Sequence, residues 1–236
     1  MSGVTPARGH DRRRLDISDN AARDVDELRR HTGCYVPCMT TTATLDPMRA
    51  LLVAPDHEWL EERRRRGIDR QDEVWDGVLH VPPAPDTEHQ RLEGRLDRVL
   101  APLAEARGLE CFSNLSILDP RDHKKNYRTP DVMVVDPKRL IRRGTEGPVE
   151  LAIEILSPDD ESREKLPYYA ARGVQELWLV DPETRAFEVY TLRGAAYFAI
   201  VADASGVVRA PALGLELSVI EGPKLRHQWS GGSADL

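Results

Sequence analysis

The stretch that decides the fold is VELAIEILSPDDESREKLPYYAARGVQELWLVDP, residues 149–182. It begins with a nearly continuous apolar run at Val149–Leu156, which is typical of a central strand covered on both faces. Ser162–Arg172 is helical in character and ends at Gly173, and a second apolar run follows at Glu176–Val180. This order predicts a strand, helix, strand unit inside a mixed α/β sheet.

Shorter apolar runs on either side of this stretch predict further strands. Turn residues separate these runs, as expected between strands. Asp76-Gly77, between alternating apolar residues, predicts a two-stranded hairpin over Glu73–Val81. The other predicted strands are Glu110–Leu118, Asp131–Val135, Phe187–Leu192, Ala196–Val201 and Leu213–Val219.

Apolar residues at helical spacing predict one long helix over Thr87–Ala106, which Gly108 ends. A shorter helix is predicted after Asp56, with Trp59 and Leu60 on its buried side.

The composition is that of a globular protein without overall affinity for polyanions. The 236 residues are 40% hydrophobic and carry a net charge of −7, which argues against binding of nucleic acid through overall charge. No stretch approaches the ~18 apolar residues of a membrane span, and the first thirty residues lack the apolar centre of a signal peptide. We therefore expect a cytoplasmic location and no membrane partner. The three cysteines, Cys34, Cys38 and Cys111, are interpreted as free thiols.

Both ends of the chain differ in character from the middle. Residues 1–45 lack sustained apolar periodicity and are predicted to be a poorly ordered extension. Residues 223–236 contain the Ser-Gly-Gly-Ser run that begins at Ser230 and are predicted to be a flexible tail. The folded domain is expected to cover residues 46–222.

Two carboxylates interrupt the predicted strands. Asp131 precedes Val132–Val135, and Glu154 lies inside the apolar run of residues 149–156. An ionised carboxylate removed from water costs several kcal/mol unless it is paired, hydrogen-bonded or bound to a cation. If the two strands are neighbours, Asp131 and Glu154 can converge on one site. The structural alternatives are a turn or strand-edge acid at Asp131 and, at Glu154, a residue of an edge strand that pairs with an arginine.

Lys165 falls in the first turn of the helix that follows Glu154, so its ammonium can lie near that carboxylate. The helix dipole disfavours a cation at this end of a helix, which makes the position unusual for a lysine. Tyr168 and Tyr169 are interpreted as packing residues.

A local basic segment runs from Arg121 to Arg143. Its eight basic residues and three acidic residues leave a charge of +5. It is either a contact for a polyanion or an ordinary solvated loop.

Several of these motifs, taken in order, resemble the Uma-two family of restriction-endonuclease-like proteins, within the PD-(D/E)XK nuclease superfamily. The resemblance covers roughly residues 54–192 and includes a histidine at the start of the first long helix. It is carried by Glu73-Val-Trp-Asp-Gly77, His89, Pro130-Asp131, Glu154-Ile-Leu-Ser-Pro158, Lys165-Leu-Pro-Tyr-Tyr169, Gly173-Val-Gln-Glu-Leu-Trp-Leu-Val-Asp-Pro182 and Glu188-Val-Tyr190.

The resemblance implies a restriction-endonuclease-like fold, with a mixed central sheet flanked by helices, and a magnesium-dependent endonuclease that acts on DNA. Asp131 and Glu154 would hold Mg²⁺, with Mn²⁺ as a substitute. Lys165 would orient the attacking water or offset charge in the transition state. Glu73 would add a further acid, and His89 would act as a general base or a phosphate contact, unless it is a structural hydrogen-bonding residue. A homodimer is left open.

One departure from the superfamily pattern concerns the lysine. It usually stands two positions after the strand acid, where this chain has Leu156, so Lys165 can replace it only if the helix folds back over the sheet. Two other functions therefore stay open. One is a nucleic-acid-binding module with weak or no catalysis, and the other is a structural or regulatory protein-interaction module.

Overall fold

The computed structural model of the chain describes residues 50–53, 55–157 and 161–236. The predictions for residues 1–45 and for Cys34 and Cys38 lie outside the described residues. Cys111 is a free, half-buried thiol, which confirms the prediction for that residue. The limit of the folded domain at residue 46 stays a prediction, and the limit at residue 222 is corrected below.

The described elements are named in chain order. The helices are α1 (His57–Arg66), α2 (Thr87–Glu105) and α3 (Leu166–Ala171), and a 3₁₀ helix at Ser162–Lys165 directly precedes α3. The strands are β1 (Ala50–Val53), β2 (Glu73–Trp75), β3 (Val78–Val81), β4 (Glu110–Ser113), β5 (Ser116–Leu118), β6 (Tyr127–Arg128), β7 (Val132–Val135), β8 (Leu140–Ile141), β9 (Gly144–Glu146), β10 (Val149–Ile155), β11 (Val174–Val180), β12 (Phe187–Arg193), β13 (Ala196–Ala199), β14 (Val208–Ala210), β15 (Leu215–Ile220), β16 (Lys224–Trp229) and β17 (Gly232–Asp235).

The central sheet has the strand order β13-β12-β11-β10-β7-β4. β10 and β11 pair in parallel, and the 3₁₀ helix and α3 lie between them in the chain, which confirms the predicted strand, helix, strand unit. The other neighbours in this sheet pair antiparallel, so the predicted mixed α/β class is confirmed. Asp131 directly precedes β7, which pairs with β10, and the pairing brings Asp131 close to Glu154.

Both faces of β10 are covered, as its continuous apolar run predicts. Leu151 and Ile153 pack in one core with Leu92 and Leu96 of α2, while Ala152 packs in a second core with Tyr169 of α3. α2 has the predicted position and begins at its N-cap, Asp86. In the described part of the chain, no helix combines the length and the apolar composition needed to cross a membrane.

A second sheet contains the predicted hairpin and has the order β1-β3-β2-β6-β5-β9-β8. Asp76 and Gly77 have φ angles of +48° and +92°, the left-handed values that a tight hairpin turn needs. β2 and β3 pair antiparallel, with Glu73 opposite His80, which confirms the hairpin. It stands beside the central sheet and presents Glu73 to the site described below.

The prediction of one strand over Glu110–Leu118 was wrong. The run divides into β4, in the central sheet, and β5, in the hairpin sheet. The chain changes direction at Asn114, whose φ of +55° is left-handed. Asparagine tolerates this conformation better than most residues, and neither glycine nor proline marks the turn.

Residues 223–236 were predicted to be a flexible tail, and the structure corrects this. They form β16 and β17, which join β14 and β15 in a four-stranded sheet. Leu225 and His227 alternate inward and are fully buried, and Leu225 and Leu236 exchange backbone hydrogen bonds of 2.9 Å. In the Ser-Gly-Gly-Ser run that resembled a linker, Ser230 and Gly231 form the turn between the two strands, and Gly232 and Ser233 begin β17.

The predicted burial of Trp59 was also wrong. α1 begins at the expected cap, where the Asp56 side chain accepts a hydrogen bond from the Trp59 backbone N at 3.0 Å. The Trp59 side chain nevertheless stays 38% exposed, with the Arg63 guanidinium 4.9 Å from its ring centre. α1 has no buried residue, because it lies on the surface.

Candidate active site

The five residues predicted for the site line one pocket, with a volume of about 280 Å³. The pocket lies where β10 ends, between the hairpin of β2 and β3, the start of α2 and the 3₁₀ helix before α3. These residues come from separate parts of the chain: Glu73, His89, Asp131, Glu154 and Lys165.

Glu154 is the most deeply placed carboxylate of the pocket, and only 3% of the residue is exposed. Burial raises the pKa of its carboxyl, and the nearby Asp131 and Glu73 raise it further, against the opposing effect of Lys165. Tyr169 donates its hydroxyl hydrogen bond to Oε1, and Ser162 Oγ donates to Oε2 at 3.4 Å. Glu154 is thus a buried acid held by several donors.

Lys165 bridges two acids. Its Nζ lies 3.0 Å from Glu154 Oε2 and 2.9 Å from Glu73 Oε1. Burial by itself would lower the pKa of the ammonium, but the Glu154 and Glu73 carboxylates outweigh that effect and raise it. The helix after Glu154 therefore folds back as the sequence requires, and Lys165 carries a positive charge inside the site.

Asp131 holds the end of β10 from the neighbouring strand. Its Oδ2 accepts a hydrogen bond from the Ile155 backbone N at 2.6 Å. This bond ties Asp131 to the residue that follows Glu154. The two acids predicted from different strands therefore meet in the same pocket.

Glu73 extends into the site from the hairpin and is nearly buried. Its Oε1 accepts from the Thr129 backbone N at 2.8 Å, and its Oε2 accepts from Trp75 Nε1 at 2.7 Å. Together with Lys165, these donors fix both of its oxygens. The hairpin thus supplies a third carboxylate beside Asp131 and Glu154.

His89 lies in the first turn of α2, with Nε2 3.4 Å from Asp131 Oδ2. Burial lowers the pKa of this imidazole, whereas its hydrogen bond to Asp131 and the charges of Asp131 and Glu93 raise it, and the net shift is upward. His89 therefore contacts Asp131 from the start of α2.

Two contacts of the site were missed at the level of the sequence. Tyr169, interpreted as packing, binds Glu154 directly. It follows Lys165 by four residues, the spacing that places side chains on one helical face, and this signal could have revealed it. His80 also lines the pocket, stacks on Trp75 at 4.1 Å and contacts Glu161 Oε2 at 3.1 Å.

The basic segment of residues 121–143 is not a uniform surface. Arg128 is only 5% exposed, and its guanidinium lies 4.3 Å from the ring centres of both Trp75 and Tyr168. Arg121 pairs with Asp119, and Arg143 pairs with Asp69. Arg128 is thus a structural residue, and the polyanion contact of the rest of the segment stays a prediction.

The acids of the pocket do not form a compact metal-binding cluster. No group of three or more His, Cys, Asp or Glu side chains spaced to hold a metal ion occurs among the residues that the structure describes. Asp131 and Glu154 are the pair nearest to the end of β10, and Lys165 holds Glu154 and Glu73 together.

The family model Uma2, described as "Putative restriction endonuclease", matches residues 60–219. A search of curated proteins finds no match. Among solved structures, a crystal structure of "a putative nuclease belonging to DUF820" from Anabaena variabilis ATCC 29413 is similar, with a TM-score of 0.50 and 20% sequence identity. The match covers 61% of this chain and 83% of that chain, and it shows a shared fold.

Proposed function

The chain belongs to the Uma2 family of putative restriction endonucleases, and we propose that it is a magnesium-dependent endonuclease that hydrolyses phosphodiester bonds in DNA. The observation that carries the proposal is the position of Lys165, bound to Glu154 and Glu73 in the same pocket as Asp131. Such a group of buried acids with one amine is costly to assemble, which supports a catalytic role over a structural one.

The oxygen donors of the pocket fit Mg²⁺. This ion takes oxygen ligands and is usually bound by one or two carboxylates together with phosphate oxygens and water. Asp131 and Glu154 would hold it, and Mn²⁺ would substitute. Asp131 raises the pKa of Glu154 by charge repulsion, so a cation shared by the two carboxylates would relieve that repulsion. The bound ion would polarise the phosphate and lower the pKa of a water molecule.

The protein's own groups would prepare the pocket for a phosphate. Lys165 is the positive group of the site, held in place by two carboxylates, and we assign to it the neutralisation of charge that develops on the phosphoryl oxygens. Glu73 positions Lys165. His89 holds the Asp131 carboxylate from the side of α2 and so limits its rotation.

The test is cleavage of plasmid and linear DNA by the purified chain with Mg²⁺, with Mn²⁺ and with EDTA. Asp131→Asn, Glu154→Gln and Lys165→Met should each lower the rate at least about 100-fold. Glu150→Gln is the matched control, since Glu150 lies on β10 outside the pocket and accepts a hydrogen bond from the Asp136 backbone N. Equal rates for the wild type and all three site variants would trace the cleavage to a contaminant and reject the proposal.

Cytoplasmic location and assembly as a homodimer stay predictions. Fractionation of cells that express the tagged chain tests the first. Light scattering on the purified protein tests the second, and a mass of one chain at all concentrations would contradict it.

A further inference from the structure

The active-site pocket opens into a neighbouring surface groove. Gln71 and Asn114 line both of them, so the two spaces meet at these side chains. The groove runs from there past the end of α1. Its lining residues are Gly67, Ile68, Arg70, Gln71, Ser113 and Asn114.

The two spaces have opposite charge. Five carboxylates line the pocket, those of Glu73, Asp86, Asp131, Glu154 and Glu161, and the ammonium of Lys165 offsets only one of these charges. No carboxylate lines the groove as far as the structure describes it, and Arg70 is its charged lining residue. A polyanion is repelled by the pocket walls alone, so it needs a cationic contact close by, and the groove provides one.

Arg70 differs from the arginines of α1 that precede it. Arg63 forms two hydrogen bonds with the Asp72 carboxylate, and Arg64 and Arg66 pair with Glu61 and Glu62. Arg70 is exposed and has neither an ion-pair nor a hydrogen-bond partner within the described ranges. Its guanidinium is therefore available to a ligand, and its planar donors suit a phosphate.

Asn114, which lines the groove, is hydrogen-bonded to Asp131, one of the acids of the proposed active site. The Asn114 backbone N donates to the Asp131 carbonyl oxygen at 3.1 Å, and Asn114 Nδ2 donates to Glu93 Oε1 at 2.7 Å. These two bonds hold Asn114 in its left-handed conformation, with φ of +55°. A chain lying on Asn114 is thus positioned directly beside Asp131.

We propose that this groove binds the sugar-phosphate backbone of the nucleic-acid strand next to the bond that is cut, with Arg70 contacting a phosphate. The inference rests on the proposed nuclease function and adds the path by which the substrate leaves the pocket. Gln71 and Asn114 carry neutral amides, which commonly contact backbone phosphates and sugars without reading the bases. The groove would therefore bind without sequence preference.

Binding without cleavage tests this path. The full chain is titrated, in the presence of EDTA, into fluorescein-labelled DNA of 20 nucleotides, either single-stranded or duplex. Fluorescence anisotropy measures binding at several salt concentrations from low to moderate. Arg70→Gln should weaken binding and reduce the slope of log K against log salt by about 0.7 for the single strand or 0.9 for the duplex. Arg65→Gln is the matched control, because Arg65 is an exposed arginine of α1 that pairs with Glu62 and lies outside the groove.

The outcomes separate the two proposals. Weaker binding by Arg70→Gln but not by Arg65→Gln supports the groove. If the wild type binds in this way but does not cut DNA, only the nuclease is rejected. Equal binding by Arg70→Gln and wild type, with unchanged melting temperatures, overturns the groove while leaving cleavage to be judged by its own assay. A wild type that binds neither the single-stranded nor the duplex DNA also overturns the groove, and the nuclease is then judged by the cleavage assay alone.

Discussion

Lys165 Nζ lies 3.0 Å from Glu154 Oε2, although the two residues belong to different elements, the 3₁₀ helix and β10. Only 13% of the lysine side chain and 4% of the glutamate side chain are exposed. Removal of one partner from a buried ion pair leaves the other charge without compensation. A substitution of Lys165 or Glu154 is therefore expected to change both the free energy of unfolding and the proposed cleavage activity.

We predict that Lys165→Met lowers the free energy of unfolding by about 3 kcal/mol, because Glu154 and Glu73 then share a buried site without a counter-charge. The double variant Lys165→Met/Glu154→Gln should lose less than the sum of the two single variants. Urea unfolding followed by tryptophan fluorescence measures all four proteins. Strictly additive losses would show that the pair is not coupled.

Tyr169 and its neighbour Tyr168 offer a matched pair of variants. Tyr169→Phe removes the hydroxyl that donates to Glu154 and should lower the cleavage rate about 10–100-fold, as loss of a supporting contact does in metal sites. Tyr168→Phe removes a hydroxyl that donates to the Ile117 carbonyl oxygen at 2.9 Å, so it should cost about 1 kcal/mol of stability without this loss of rate. Equal rates for the two variants would assign Tyr169 to packing alone.

Magnesium should stabilise the folded chain. At a concentration of 100 times its Kd, a ligand that binds only the folded state adds about 2.7 kcal/mol, which corresponds to a rise in Tm of about 5–10 °C. Differential scanning fluorimetry with MgCl₂, and with KCl at equal ionic strength as the control, measures the rise. Asp131→Asn should abolish it, and a rise retained in that variant would place the ion elsewhere.

The sequence was sufficient for the elements whose pattern is strong. The apolar run of β10, the helical spacing of α2 and the Asp76-Gly77 turn all predicted structure that is present. The convergence of Asp131, Glu154 and Lys165 could also be predicted, because burial of an unpaired carboxylate is too costly to occur without a partner.

Other features depend on tertiary contacts that no local pattern reveals. Asn114 breaks an apolar run because its side chain and backbone are bound by Glu93 and Asp131, which are distant in sequence. Trp59 is a large apolar residue of the kind usually found in a core, but α1 has no buried residue and leaves it 38% exposed. The role of Glu73 beside Lys165 required the hairpin to be placed against the central sheet, and the sequence does not specify that placement.

The buried His227 should make stability depend on pH in a way that can be isolated by one substitution. The imidazole of His227 is fully buried, and its ring centre lies 5.8 Å from that of Trp178. Burial lowers the pKa of His227 from 6.5 to about 4. Between pH 6.5 and pH 4, His227 therefore binds a proton in the unfolded chain but not in the folded chain. The contribution of the neutral imidazole to the free energy of unfolding is complete above pH 6.5 and is lost as pH falls towards 4.

The expected loss from His227 is about 3 kcal/mol across that range. Glu176 has the opposite pH dependence. Burial raises its pKa to about 7, so the stability that this residue contributes to the fold is lost as pH rises from 4.5 towards 7. His227→Leu keeps the Glu176 contribution and removes only that of the imidazole. The difference in free energy of unfolding between His227→Leu and wild type, measured by urea at pH 7.5, 6, 5 and 4.5, should therefore widen in favour of the variant as pH falls. A difference that stays constant over this range would mean that His227 is protonated in the folded chain as readily as in the unfolded one.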